Sequence, residues 1–235
     1  MYKILILVAV VVFGYGFYEY NRTQFFIKIG VEIAENANKY EQSGEGAKVL
    51  FLGDSSAVGT GSLDPKFSVA GYLGSEFLEY DIENLAVNGF KIEDVVGLLS
   101  EQDLADYDLI VLQIGGNDIV RLVDIYEIEK NLKIILGELS NAADKIIVFH
   151  GGNVGTSKLF PWFLRRYYTN RTLKVRDVYM QVVAGFEKAF YVDMYRNYKN
   201  DPFYLDPEKY YAADYFHPSD AGYLDWYNLM KDKLE

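Results

Sequence analysis

The sequence predicts an α/β fold, a three-layer α/β/α sandwich around a parallel five-stranded sheet, preceded by an N-terminal transmembrane or signal helix. Three observations carry this. Short aliphatic and β-branched runs alternate with longer stretches of helical period along residues 47–235. Three of those runs are almost wholly apolar, the pattern of parallel strands covered on both faces by helices. The chain also opens on an unbroken apolar stretch from residue 4 to residue 13.

That opening stretch carries no charge between Lys3 and Glu19. At about 1.5 Å per helical residue, residues 1–20 just cross a hydrocarbon core of roughly 30 Å, with Tyr15, Tyr18 and Tyr20 suited to the interface. A cleaved signal peptide wants an A-x-A-like site after its apolar run, and none follows here. An uncleaved anchor with an extracytoplasmic domain is the expectation, and secretion after cleavage is the alternative. Lys3 and the amino terminus on one flank balance Arg22 and Lys28 on the other, so loop charge does not fix orientation. Residues 21–46 mix apolar positions (Phe25, Phe26, Ile29, Ile33) with charges and end in Gln42-Ser43-Gly44-Glu45-Gly46. They read as a helical stalk closing on a flexible hinge.

Residues 47–235 fall within the size of one domain. Strands are expected at 48–53 (KVLFLG), 82–86, 108–115 (DLIVLQIG), 145–150 (KIIVFH) and 189–194 (AFYVDM). Between them Val69, Tyr72, Leu73 and Phe77 recur at helical spacing, as do Ile128, Leu132, Ile135 and Leu139. Tyr223, Trp226, Tyr227 and Met230 form a closing amphipathic helix. Right-handed crossovers then give a flavodoxin-like arrangement, in which ligands bind at the carboxyl ends of the strands.

Composition removes several function classes. The chain has 23 Lys+Arg against 34 Asp+Glu, a formal charge of −11, which disfavours nucleic-acid binding. There is no cysteine, hence no disulfide, thiolate metal site or cysteine nucleophile, and only two histidines, His150 and His217, too few for a polyhistidine metal site. No metal or other cofactor is expected. Half the residues are hydrophobic, enough to bury a core.

Four polar blocks stand at strand ends or helix starts: Gly53-Asp54-Ser55-Ser56, Asn84-Leu85-Ala86-Val87-Asn88-Gly89, Gly115-Gly116-Asn117-Asp118 and Asp214-Tyr215-Phe216-His217. Each alone is ordinary turn chemistry; their order and placement make the signal. On these blocks the sequence resembles the SGNH, or GDSL-type, hydrolase superfamily, across residues 48–226. The resemblance implies an ester hydrolase with Ser55 as nucleophile, Asp214 and His217 as the base pair, and Gly89 and Asn117 in the oxyanion hole beside Ser55. Ser56 stands where the name-giving block has Leu, which leaves the subfamily open.

The chemistry also follows from the residues. A serine hydroxyl needs a neutral imidazole to take its proton, and His217 is suited to that. Asp214, three residues earlier, is near enough to hold the other ring nitrogen. Pro218 is expected at the first position of the closing helix, which puts His217 at a helix start. Transition-state charge on the carbonyl oxygen calls for fixed donors, supplied by the Ser55 and Gly89 N–H groups and the Asn117 amide. Asp54 and Asp118 read as loop-bracing acceptors of backbone N–H bonds.

Other readings of these and neighbouring residues are weaker. His150 also ends a strand, but no carboxylate stands near it in sequence; with Asn153 it is expected in the substrate groove, or packed in the core. His150-Gly151-Gly152-Asn153 follows the serine rather than preceding it, and G-x-S-x-G is absent, so a lipase nucleophile elbow is excluded. A Mg²⁺-binding receiver-like module through Asp54, Asp118 or Asp193 leaves Asn117 and the Asp214/His217 pair unexplained. Arg165, Arg166, Arg171, Lys174 and Arg176 gather with Phe160, Trp162, Phe163, Tyr167 and Tyr168; they read first as a solvated helix face, and otherwise as a lid, an anionic or amphipathic substrate site or a headgroup contact. The expectation is a membrane-anchored serine esterase or lipase acting on a lipid or acylated glycan through an acyl-serine intermediate. An acyltransferase using the same site, or a non-catalytic tethered glycan- or protein-binding module, is the alternative.

Overall fold

The computed structural model describes residues 2–104 and 106–234. One helix, α1 (Tyr2–Asn36), precedes a domain in the order β1 (Lys48–Gly53), α2 (Ser55–Val58), α3 (Val69–Glu76), β2 (Asp81–Asn84), α4 (Ile92–Leu99), β3 (Tyr107–Gln113), α5 (Gly116–Val120), α6 (Ile125–Ala142), β4 (Ala143–Phe149), α7 (Trp162–Val183), β5 (Ala189–Tyr191), α8 (Pro202–Leu205), α9 (Pro207–Tyr210) and α10 (Asp220–Lys231). The five strands pair in parallel in the order β2-β1-β3-β4-β5, the expected doubly wound sheet. The order reverses at β1, so the loops after β1 and β3 diverge there and open a crevice.

Strand side chains alternate between two cores, as a pleat of period two requires. Leu50, Leu52, Ile110, Leu112, Ile146 and Val148 face α4, α6 and α7. Val49, Phe51, Leu109, Val111, Ile147 and Phe149 face α3 and α10. Both faces being covered explains why β1, β3 and β4 are apolar nearly throughout. The helices match the predicted periodicity: Ile128, Leu132, Ile135 and Leu139 of α6 are fully buried, as is Tyr223 of α10, with Trp226 and Tyr227 nearly so.

Two expectations differ from what is observed. Residues 21–36 are no separate stalk, because α1 runs unbroken through position 20 and its second half lies on the domain. Arg22 donates to the Lys158 and Leu159 carbonyls, the Phe26 ring meets Tyr215 edge-on at 5.0 Å, and Asn88 Nδ2 donates to Ala34 O. The segment read as a hinge is also pinned. Gln42 exchanges backbone bonds with Ile82 at the edge of β2, and its side-chain amide donates to Phe77 O and Tyr80 O. Gly44 serves close approach rather than flexibility, since a Cβ there would stand 2.1 Å from the Glu79 carbonyl oxygen. Secondly, α10 begins at Asp220, not Pro218, because Ser219 Oγ accepts the Gly222 N–H and makes the better cap. His217 instead precedes a short antiparallel bridge between Tyr211 and Pro218, and its carbonyl oxygen accepts the Ala212 N–H.

The strands at the centre of the sheet are buried on both faces. Ile110, in β3 between β1 and β4, is wholly buried. Truncating Ile110→Ala should cost about 2–5 kcal/mol, read as a lower urea midpoint at unchanged slope.

Candidate active site

The first block is built on the β1–α2 turn. Asp54 is the N-cap of α2, its Oδ1 accepting both the Ser56 N–H (2.9 Å) and the Ser56 hydroxyl (2.7 Å). Those bonds fix Ser55 at the first helical position at the carboxyl end of β1, in the pocket wall. The Asp54 and Ser56 N–H groups are taken, by Gln113 O and Asp54 Oδ1 respectively. The Ser55 N–H between them meets no acceptor among the described residues.

The last block lies in the ribbon before α10. His217 Nε2 is 3.0 Å from Ser55 Oγ, and His217 Nδ1 is 2.6 Å from Asp214 Oδ2. Asp214 is 1 % exposed, and its Oδ1 accepts the Phe216 and His217 N–H groups, each at 3.0 Å. Tyr215 adopts φ 55°, the left-handed turn that swings His217 back toward the carboxylate. Side chains 162 positions apart in the chain thus form one continuous line of hydrogen bonds.

Asn117 and Gly89 come from neighbouring loops. Asn117 Nδ2 donates to Phe90 O at 3.0 Å, which leaves its second amide hydrogen on the pocket side. Gly89 sits at φ 83°, a conformation costly for other residues, and its N–H also lacks an acceptor among the described residues. The loop is tied down by Asn88, whose Oδ1 accepts the Thr60 hydroxyl, and by Asn84, whose side chain bonds Ala57 O and the Ala86 N–H.

Asp54 and Asp118 lie behind this surface and brace loops, as read from the sequence. Asp118 accepts the Ile92 N–H through both oxygens. Burial raises the Asp54 carboxyl above the ordinary range, against the opposing Ser56 bonds. Burial pushes Asp118 up to about 7, opposed by the Ile92 N–H and reinforced by the Asp54 charge.

His150 is not in the groove. It is 0 % exposed, its Nδ1 faces Gly151 O, its Nε2 is 3.1 Å from the Tyr191 hydroxyl, and its ring meets Tyr179 edge-on. Burial lowers it to about 4, so it is neutral and packs as a core residue. β4 ends at Phe149, the His150 ring turns inward against Tyr179 and Tyr191, and the pocket begins at Gly151. Asn153 does line the pocket, although its Oδ1 is already engaged by Gly155 N–H and the Thr169 hydroxyl. Nor does the cation-rich helix form a lid. None of its cations lines the pocket; Arg176 pairs with Asp193, and Arg171 donates to Val123 O.

Sequence reasoning reaches only part of the pocket wall: Met194, Phe203 and Tyr211 lie in the tyrosine-rich segment 191–215, which reads as a sugar or acyl groove or as packing, whereas Phe216 and Trp226 of the same wall are not legible as such. Trp226 was legible as a helix-face residue but not as a wall. It also missed Gly30 of α1, where a Cβ would stand 2.9 Å from Asp214 Oδ2.

A sequence profile of the GDSL-like Lipase/Acylhydrolase family matches residues 51–224, most of the chain. The chain belongs to this family. It is an ester hydrolase of the GDSL type. Comparison with curated protein sequences yields no match. Among solved structures, Axe2, an acetylxylan esterase from Geobacillus stearothermophilus, superposes with TM-score 0.53 at 21 % identity, over 82 % of this chain and 95 % of its own. A lipase/acylhydrolase from Enterococcus faecalis gives TM-score 0.58 at 20 % identity over 80 % and 95 %. TesA gives TM-score 0.58 at 21 % over 80 % and 98 %. At these identities the likeness carries the fold.

Two predictions arise from this arrangement. Gly30→Ala places a methyl against the Asp214 carboxylate, so esterase kcat should fall about tenfold or more, while the better helix former raises thermal stability or leaves it unchanged. Asp118 holds its proton more tightly folded than unfolded, where release occurs near pH 4. Its stabilising contribution is full below about pH 4 and is lost as pH rises through about 7; Asp118→Asn should flatten that decline in urea unfolding followed between those limits.

Proposed function

We propose that this GDSL-type esterase is membrane-anchored and cleaves carboxylic esters through an acyl-Ser55 intermediate. The observation that carries the reading is the unbroken line Asp214 Oδ2, His217 Nδ1, His217 Nε2, Ser55 Oγ, at 2.6 Å and 3.0 Å. Ser55 Oγ attacks the ester carbonyl while its proton passes to His217 Nε2. Asp214 keeps Nδ1 protonated, so Nε2 is the free base, and its charge stabilises the imidazolium. The tetrahedral oxyanion is received by the Ser55 and Gly89 N–H groups and the Asn117 amide. Collapse breaks the ester C–O bond, and the departing alkoxide takes the proton from Nε2. Water then attacks the acyl-serine, giving its proton to Nε2; the second collapse releases the carboxylic acid and returns that proton to Ser55 Oγ.

The aromatic wall of Phe203, Tyr211, Phe216 and Trp226 suits a compact acyl group or a sugar face stacked on a ring. The α1 span supports the anchor: it has a mean hydropathy of 1.6 over its apolar window, and only 6 % of that window is buried against the protein. The substrate class this favours is an ester on a glycan or lipid at the membrane surface.

A fluorophosphonate probe on the full chain in detergent tests the nucleophile: labelling is expected in the wild type and absent in Ser55→Ala. A folded wild type that resists labelling would overturn the assignment. Asn117→Ala removes one oxyanion donor, and kcat should drop about 10²–10³-fold with KM little changed.

A further inference from the structure

We propose that the first two turns of α7, presenting Trp162, Phe163, Arg166 and Tyr167, form a docking face that lies in the interfacial layer of the bilayer crossed by α1. The inference rests on the anchor reading above and adds a second, non-spanning contact with the same membrane. Trp162 is 68 % exposed and Phe163 and Tyr167 are each 51 % exposed, and outside α1 only Tyr126, Phe190 and Tyr204 among the other described aromatic residues are exposed. On a helix, 162 with 166 and 163 with 167 form one stripe. An aromatic and cationic stripe of this kind is the composition of a membrane interface, ring bodies toward the acyl chains and the guanidinium toward phosphate.

The position of the stripe relative to α1 decides what covers it. Trp162 lies beside the Tyr15 hydroxyl, and that hydroxyl donates to Glu19 Oε1 at 2.7 Å. Arg22 donates to Glu19 Oε2 at 2.8 Å and also to the Lys158 and Leu159 carbonyls, the residues just ahead of α7. Glu19 is only 8 % exposed, with Arg165 close by. The exit of α1 and the start of α7 are therefore one satisfied polar joint rather than a hinge. From Tyr2 to Tyr15 the helix is about 20 Å long, against a hydrocarbon core of roughly 30 Å. A full crossing draws in residues up to Tyr20, by which point the α7 edge already stands alongside. Span and domain overlap by more than a helical turn, and the overlapping edge is the one bearing Trp162 and Phe163.

The chain has two tryptophans, and Trp226 is buried in the pocket wall, so Trp162 serves as its own depth probe. The full chain is reconstituted into phosphatidylcholine–phosphatidylglycerol vesicles, and the Trp162 signal is taken as wild type minus Trp162→Phe. Lipid brominated near the headgroup end of the acyl chain should quench that signal at least twofold, and aqueous iodide should quench it little. Iodide quenching without bromolipid quenching, in chains that stay with the vesicles through an alkaline carbonate wash, would overturn the docking face and leave the anchor standing. Shielding from both quenchers that disappears as protein is diluted in lipid would assign the stripe to a second copy of the chain and also overturn it. Release by carbonate would remove the anchor and this proposal together, while fluorophosphonate labelling of Ser55 tests the catalytic reading separately.

Discussion

Asp214 is the group on which the rest of the site depends. A carboxylate this buried is tolerable only when its lone pairs are filled, and here two backbone N–H groups and an imidazole nitrogen fill them. Those bonds dictate the left-handed turn at Tyr215, and the turn dictates where the His217 ring points. The remaining oxygen surface is closed by the bare backbone of Gly30, so the carboxylate has no room to rotate away. A carboxylate held from three sides fixes the imidazole bonded to it, which is what places the second ring nitrogen of His217 against Ser55.

This arrangement makes α1 part of the esterase rather than a tether attached to it. The helix passes the loops that follow β4, β5 and β2, touching Leu159, Asp214 and Asn88 in turn. All three stand at the carboxyl edge of the sheet, where doubly wound folds place their ligands. From Tyr15 to Gly30 the helix rises about 20 Å, so the reaction centre is held at a set distance from the point where α1 meets α7.

Behind the reactive surface the polar groups are arranged for rigidity. Asp54 and Asp118 each spend their oxygens on backbone N–H groups of the loops that carry Ser55 and α4. Tyr179, fully buried, donates to the Ile114 carbonyl at the end of β3, and His150 packs edge-on against its ring. Burial raises the two aspartates and lowers the histidine. Each shift moves the group toward its neutral form, the cheaper state away from water. Perturbed protonation in this GDSL domain therefore marks structural groups.

The sequence by itself determined the layered parallel sheet, because strands buried on both faces must be apolar at successive positions and helices buried on one face must repeat at 3.6. It also determined which side chains gather at the carboxyl edge, since Ser55, Asn117 and the Asp214 to His217 block follow strand ends or helix starts in order. Only the tertiary structure decided that His150 faces inward, that Pro218 is not helical, and that residues 21–46 lie on the domain. Each of those outcomes turns on a contact between segments far apart in the chain: Tyr191 for His150, Tyr211 for Pro218, Phe77 and Tyr80 for Gln42. Periodicity reports how a residue relates to its near neighbours and to the core as a whole. It carries no record of which distant backbone a glycine or an amide will meet, and that is where Gly30 and Gln42 acquired their roles.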